Sequence, residues 1–330
     1  MRFPATAART ISRAMLILES THDVPAAARR SALAIGNFDG VHRGHQALLN
    51  TARDFGRAHG VPAAVLLFEP HPRVLFAPDK PHFRITPLPR KLALLEAAGM
   101  DAAIVLPFDK ALASRSATSF IEDILVRDLQ VSHVVVGYDF HFGKDRKGNA
   151  EMLRSEGRRL GFGVSEVAQV STGETAYSSS AIRALLAKGD VAAAADMLGH
   201  WWRASGKVVG GAKRGTGMGF PTANITLPAG TDLGFGIYAV RVHVDGAVHE
   251  AAAYLGTRPT FDDGAPVLEV FLFDFDGDLY GKTIDVEFIA FLRGDQKFEG
   301  MEALKAQMAR DCEAARVILA RAGDTPAPPA

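Results

Sequence analysis

The sequence is short of the features that would set it apart from ordinary folded proteins. It holds one cysteine, Cys312, in 330 residues, which excludes an intrachain disulfide framework and a zinc site built from cysteines. No apolar run approaches the roughly eighteen residues of a membrane-spanning helix. Net charge is also lacking. Lys+Arg and Asp+Glu each total 37, so bulk electrostatics do not hold the chain to nucleic acid. Nor is there a Gly-x4-Gly-Lys-Ser/Thr string, which removes the P-loop. The expectation is a soluble, cytoplasmic protein of a reducing compartment, with no nucleic-acid, membrane or obligatory protein partner.

What is present reads as two domains. Arg2, Arg9 and Arg13 precede the first acid, Glu19, among small residues. Residues 1–30 are therefore expected to be a disordered extension with Met15 as an alternative start; an organelle transit peptide is the other reading. Residues 31–187 alternate short apolar runs (32–35, 63–68, 102–106, 134–136) with helical stretches (43–59, 91–98, 119–129). Strands apolar on both faces and separated by helices imply a parallel sheet between helical layers, an α/β Rossmann-like domain. Ligands of such sheets bind beyond the carboxyl ends of the strands. Residues 188–202 are expected to be a linker, with two short helices over 181–199. From 203 to 322 the hydrophobic period becomes two, over 237–244, 267–275 and 283–292, with a hairpin signal at Asp245-Gly246. That predicts an antiparallel β-barrel closed by a terminal helix over 301–321. Residues 323–330, ending in TPAPPA, read as a disordered tail.

The string Ala34-Ile-Gly-Asn-Phe-Asp-Gly-Val-His-Arg-Gly-His45 follows the first strand of this pattern. Its glycines, Gly36, Gly40 and Gly44, permit a tight turn and close approach to a ligand. His42 and His45, three apart at a helix start, share a face near the positive end of the helix dipole. Amides and imidazoles so placed suit a polyphosphate; alone, the string fits equally well a turn whose histidines only cap and pack. Ser178, Ser179 and Ser180 precede a helix with Arg183 in its first turn, a set able to cap that helix or to hold phosphate. Further on, Arg203, Lys207, Lys213 and Arg214 lie in a glycine-rich, acid-free stretch that ends Phe220-Pro-Thr-Ala-Asn224. Thr222 and Asn224 offer neutral oxygens on one face, suited to Mg²⁺ whose remaining charge ATP phosphates balance. Glu269 alternates with Val267, Phe271, Phe273 and Phe275, a face on which a carboxylate is partly desolvated. A charge that protects a strand edge is the plain alternative.

Taken together, these strings resemble the bacterial bifunctional riboflavin kinase/FAD synthetase family. Gly36-Asn-Phe-Asp-Gly-Val-His-x-Gly-His45, Phe68-Glu-Pro-His-Pro72, Gly137-Tyr-Asp-Phe-His-Phe-Gly143 and Ser178-Ser-Ser-Ala-Ile-Arg183 are similar, in order, to its FMN adenylyltransferase module. The resemblance implies an ATP site at Gly36, Asn37, Phe38, Asp39, Gly40, His42, Gly44, His45, Ser178, Ser179, Ser180 and Arg183, with His42, His45 and Arg183 catalytic. It implies flavin contacts at Phe68, Pro70, His71, Asp139, Phe140 and Phe142. Gly219-Phe-Pro-Thr-Ala-Asn224 resembles a signature of the riboflavin kinase module. That likeness implies ATP contacts at Lys213, Arg214, Gly215, Gly217, Gly219, Phe220, Pro221 and Thr222, Mg²⁺ at Thr222 and Asn224, Glu269 as the catalytic base, and flavin contacts at Arg293 and Phe298. Riboflavin, FMN, FAD and ATP would be the substrates and products.

Three residues depart from the family pattern, all in the second module: Thr216 where an arginine is usual, Tyr254 in place of the common asparagine, and Phe271 in place of a frequent histidine. They keep one alternative open, an FMN adenylyltransferase whose kinase half has decayed into a flavin sensor. A non-catalytic nucleotide or RNA sensor on the same fold is a second, which zero net charge disfavours.

Overall fold

The computed structural model describes residues 14–173, 175–210, 221–257 and 266–326. The chain divides into two compact units that do not follow simple sequence order. One comprises Met1–Phe38, His45–Pro78 and Leu88–Gln169; the other comprises Asp39–Gly44, Asp79–Pro87 and Val170–Ala330. These units cut across the expected break after residue 187, and two short segments of the first half, Asp39–Gly44 and Asp79–Pro87, belong with the C-terminal unit.

The first unit is built on six parallel strands. They are β1 (Leu16–Leu18), β2 (Ala32–Ile35), β3 (Ala63–Glu69), β4 (Ala102–Pro107), β5 (His133–Gly137) and β6 (Gly163–Val167), in the order β1-β4-β3-β2-β5-β6. Strands β2 to β5 are runs of alanine, valine, leucine and isoleucine with almost every residue buried, as a sheet covered on both faces requires. The order reverses at β2, which lies between β3 and β5. The crevice beyond a strand at such a reversal is where open α/β sheets bind ligands, and β2 ends at Ile35, one residue before Gly36. The helix Arg43–His59 follows with Leu48, Leu49 and Ala52 buried. The helical stretch expected over 119–129 opens into a wide π-type turn over Phe120–Asp128.

Residues 14–30 are not a disordered leader. Leu16–Leu18 pairs in parallel with Ala102–Ile104, and Val24 and Ala28 are buried in the same core. Residues 1–13 lie outside the described set. The two short helices expected over 181–199 are present as Ser179–Ala187 and Val191–Leu198; the first turn of the second is capped by Asp190, which accepts from the Ala193 amide at 3.1 Å.

The second unit contains a closed antiparallel barrel of β7 (Trp202–Val209), β8 (Ala223–Ile225), β9 (Gly236–Val244), β10 (Ala247–Thr257), β11 (Pro266–Leu272) and β12 (Thr283–Arg293), in the order β7-β8-β11-β10-β9-β12. Asp245-Gly246 makes the β9–β10 hairpin. Leu268, Val270 and Leu272 fill the barrel interior. Strand β11 stops at Leu272, three residues short of the expectation, and Phe275 packs on the interior cluster instead. The helix Met301–Leu319 covers part of the outer face, where Ala315 and Leu319 meet Phe273 and Ile289.

In the first unit Phe55 is stacked between two imidazoles, those of His59 and His133, each at 3.9 Å between ring centroids. His133 is 8% exposed, and burial, reinforced by the nearby His59, pushes its pKa below the ordinary histidine value. A base whose pKa falls on folding binds its proton more readily when unfolded. Stability is then lost as pH drops below the ordinary histidine pKa of about 6.5. Melting curves at pH 7.5 and pH 5.5 should show the loss of stability, and His133→Gln should make the difference between the two curves smaller.

Candidate active sites

In the first unit, Gly36 is tied to the sheet by its amide, which donates to the Leu66 carbonyl at 3.1 Å. The carbonyl of Asn37 accepts from the ammonium of Lys91 at 2.9 Å, and Lys91 is 3% exposed. The Asn37 side-chain oxygen is buried with no partner among the described residues, an acceptor left for a bound group. Phe38 lies under His45, ring centroids 5.2 Å apart.

The continuation of this string belongs to the second unit, where Asp39 is its anchor. Asp39 is 3% exposed, and its carboxylate accepts from the amides of Ile85 at 3.3 Å and Thr86 at 3.1 Å and pairs with Arg183. Arg183 also donates to the Phe83 carbonyl at 2.6 Å. The guanidinium expected to fork onto phosphates is thus turned onto the protein, because a buried carboxylate must be neutralised first. The three serines divide their work. Ser178 caps the helix Ser179–Ala187 by accepting from the Ala181 amide, Ser179 donates to the Asp39 carbonyl at 2.8 Å, and Ser180 is exposed.

Gly40 takes φ +91°, a conformation natural to glycine. A methyl group at Gly44 would stand 3.0 Å from the His42 ring, so glycine is what allows the chain to pass that imidazole. His42 is 6% exposed. Burial lowers its pKa to about 4, against a smaller opposing pull from Asp39. It is therefore neutral at physiological pH and acts as a hydrogen-bonding group rather than a cation.

The residues expected to face a flavin in the first unit differ in availability. Phe68 is half-buried and meets Phe108 edge-on at 5.7 Å. Pro70 follows Glu69 through a cis peptide, and His71 caps the helix Pro72–Phe76 by accepting from the Arg73 amide. Asp139 is exposed and Phe140 half-buried. Phe142 is 7% exposed and packs between Phe120 and Phe140, so it supports the loop rather than offering a free face.

In the barrel, Thr222, Asn224 and Glu269 come together. Asn224 and Glu269 are opposed across β8 and β11, so their side chains leave the same face. Thr222 Oγ1 stands 3.5 Å from Glu269 Oε2. Asn224 is 6% exposed, and a cleft of about 290 Å³ is lined by Pro221, Thr222, Asn224, Leu272, Asp278 and Tyr280, among others. The row continues on the outer face through Tyr254, opposite Glu269, to Ile237 and then Arg293. Arg293 is held by Asp311 of the terminal helix through three contacts of 2.7 to 3.2 Å, and it lies 5.7 Å from the Phe298 ring. Lys213, Arg214, Gly215, Thr216, Gly217, Gly219 and Phe220 lie outside the described residues. Sequence patterns alone did not single out Thr86, Lys91 and His200, because each acts on the motif's main chain from a distant stretch.

Fold and site together define a two-module nucleotide-handling enzyme. The family model for FAD synthetase matches residues 24–181, and that for riboflavin kinase matches residues 198–319. A bifunctional riboflavin kinase/FMN adenylyltransferase of Escherichia coli K12 is 40% identical over 90% of this chain and 96% of its own. The Bacillus subtilis protein of that name is 36% identical over 86% and 90% respectively. Among solved structures, a macrolide-efflux protein from Streptococcus pneumoniae matches with a TM-score of 0.82 at 29% identity, covering 92% of this chain and 99% of that one. Among the described residues no helix is long and apolar enough to cross a membrane. The chain belongs to the bifunctional riboflavin kinase/FMN adenylyltransferase family.

The His42 pKa has a direct check. In a histidine NMR titration from pH 8 to 5.5, the His42 C2–H resonance should not move, while an ordinary histidine would titrate with a midpoint near 6.5.

Proposed function

We propose that the chain carries both activities of its family: the barrel unit phosphorylates riboflavin to FMN with ATP, and the module bearing the Gly36–His45 string joins FMN to AMP from a second ATP. The observation that carries the first half is the juxtaposition of Thr222 and Asn224 with Glu269. Glu269 accepts the proton of the ribityl 5′-hydroxyl as that oxygen bonds to the γ-phosphorus, and the bond from phosphorus to the β,γ-bridging oxygen breaks to release ADP. The donors beside it are hard oxygens, and no cluster of three His, Cys, Asp or Glu occurs among the described residues. Such a set fits Mg²⁺ shared with nucleotide phosphates better than a metal caged by protein alone. When bound there, Mg²⁺ offsets negative charge on the ATP phosphates. With Glu269, Thr222 and Asn224 assembled, the structure lends no support to the decayed-kinase alternative.

In adenylyl transfer the protein need supply no nucleophile. An FMN phosphate oxygen bonds to the α-phosphorus of ATP and pyrophosphate leaves. Amides of the Gly36–Gly44 stretch, the His45 side chain and the neutral His42 meet the charge that builds on the phosphoryl oxygens. Ser178, Ser179 and Arg183 shape the turn. Of the expected flavin contacts, Phe68, Pro70, His71, Asp139 and Phe140 keep accessible surface, whereas Phe142 is buried.

Purified protein given ATP, Mg²⁺ and riboflavin should yield FMN and then FAD, and FAD when started from FMN, read by chromatography. His45→Ala should lower FAD formation by roughly 10²- to 10³-fold, the scale of losing one charge-stabilising donor, and leave FMN formation intact. Glu269→Ala should lower FMN formation by roughly 10²- to 10⁴-fold and spare FAD formation from supplied FMN. Loss of both activities in either folded variant would rule out two separate sites.

A further inference from the structure

Two residues outside every recognised string grip the peptide groups on either side of Gly40. Thr86 Oγ1 accepts from the Gly40 amide at 2.9 Å and also lies 3.4 Å from Asp39 Oδ1. His200 Nε2 lies 2.9 Å from the Gly40 carbonyl, which places a proton on that nitrogen. Both are held in turn. The Thr86 amide donates to Asp39, and the preceding carbonyl, that of Ile85, accepts from the indole N–H of Trp202 at 2.9 Å. Trp202 is 2% exposed and packs in the barrel's interior cluster, edge-on to Phe83 at 5.8 Å. All of these residues lie in one compact unit.

We propose that Thr86 and His200 are positioning residues for adenylyl transfer, fixing the direction of the Gly40 N–H and C=O and so of the amides that follow toward His42 and Gly44. The inference rests on the reading of the Gly36–His45 string as the nucleotide loop. A glycine at φ +91° has no side chain to anchor it and wide conformational freedom. Without the two hydrogen bonds the loop would sample several turns, and displacement of about 1 Å at a reacting group costs up to ~10²-fold in rate. The Trp202 contact extends this support into the barrel, so the kinase fold forms part of the framework for the other reaction.

The test compares Thr86→Val, which keeps shape and loses the hydroxyl, with Thr86→Ser, which restores it. In the full-length protein, Thr86→Val should lower kcat for FAD formation from FMN by roughly 10- to 100-fold, leave FMN formation from riboflavin within about twofold, and recover with Thr86→Ser. His200→Leu should repeat the selective loss, and His200→Gln, which retains a donor, should relieve it. A normal FAD rate in Thr86→Val beside a lost one in His45→Ala overturns the positioning role alone. A normal rate in both overturns the loop's reading. Parallel loss of both activities in Thr86→Val and His200→Leu also overturns the proposal, since it marks a general defect of folding.

Discussion

The buried carboxylate of Asp39 is the constraint around which the second unit is arranged. A charge 3% exposed persists only when paired and fully hydrogen-bonded, and removing one partner of such a pair costs about 3–5 kcal/mol. Here the partners come from two stretches far from Asp39 in sequence: the amides of Ile85 and Thr86, and the helix Ser179–Ala187, which supplies the guanidinium of Arg183 and, on the adjoining carbonyl, the hydroxyl of Ser179. Satisfying one anion therefore gathers Asp39–Gly44 and Asp79–Pro87 into the same compact unit as the barrel. This explains why the compact units cut across the two family matches rather than following them.

The same pairing alters the electrostatics of phosphate binding. Arg183 is spent on Asp39, and Arg43 donates to the Asp196 carbonyl at 2.6 Å, so neither stands as a bare cation beside the loop. His42 is neutral because burial outweighs its acidic neighbour. The Lys91 ammonium is on the Asn37 carbonyl, and the helix Arg43–His59 carries no acid in its first turn. The dipole at that helix start favours an anion. A site of this kind reads the negative charge of a nucleotide through fixed dipoles that need no reorganisation as the reaction proceeds.

Much of this was legible in the residues. Strands β2 to β5 and three of the six barrel strands, β9, β11 and β12, announced themselves through apolar runs or alternation, and the two candidate sites through strings whose glycines, serines and oxygens suit phosphates; β7, broken by Arg203, Ser205 and Gly206, and the three-residue β8 did not. The misses share a physical cause. Strand β6 contains Ser165 and Glu166 and is half-exposed along its length, so it lacks the apolar run of a central strand. Strand β1 is three residues at the sheet edge, too short for any period to register. The pairing of Arg183 with Asp39 was not legible because the two are 144 positions apart, and spacing along a chain carries no record of such a pair. Thr86 and His200 were invisible for the same reason.

The barrel raises the question of what the departures at Tyr254 and Phe271 do to the kinase. Tyr254 sits directly across from Glu269, and its ring lies over Gly256, where the hydroxyl would collide with any added Cβ. The larger side chain is thus accommodated along its own strand, two residues on, instead of being driven into Glu269. Phe271 lies on the same outer face, against Phe273 at 5.8 Å in the cluster that the terminal helix covers. Both substitutions leave the Thr222–Glu269 and Asn224–Glu269 relationships in place, so neither removes a chemical group that the proposed kinase reaction uses.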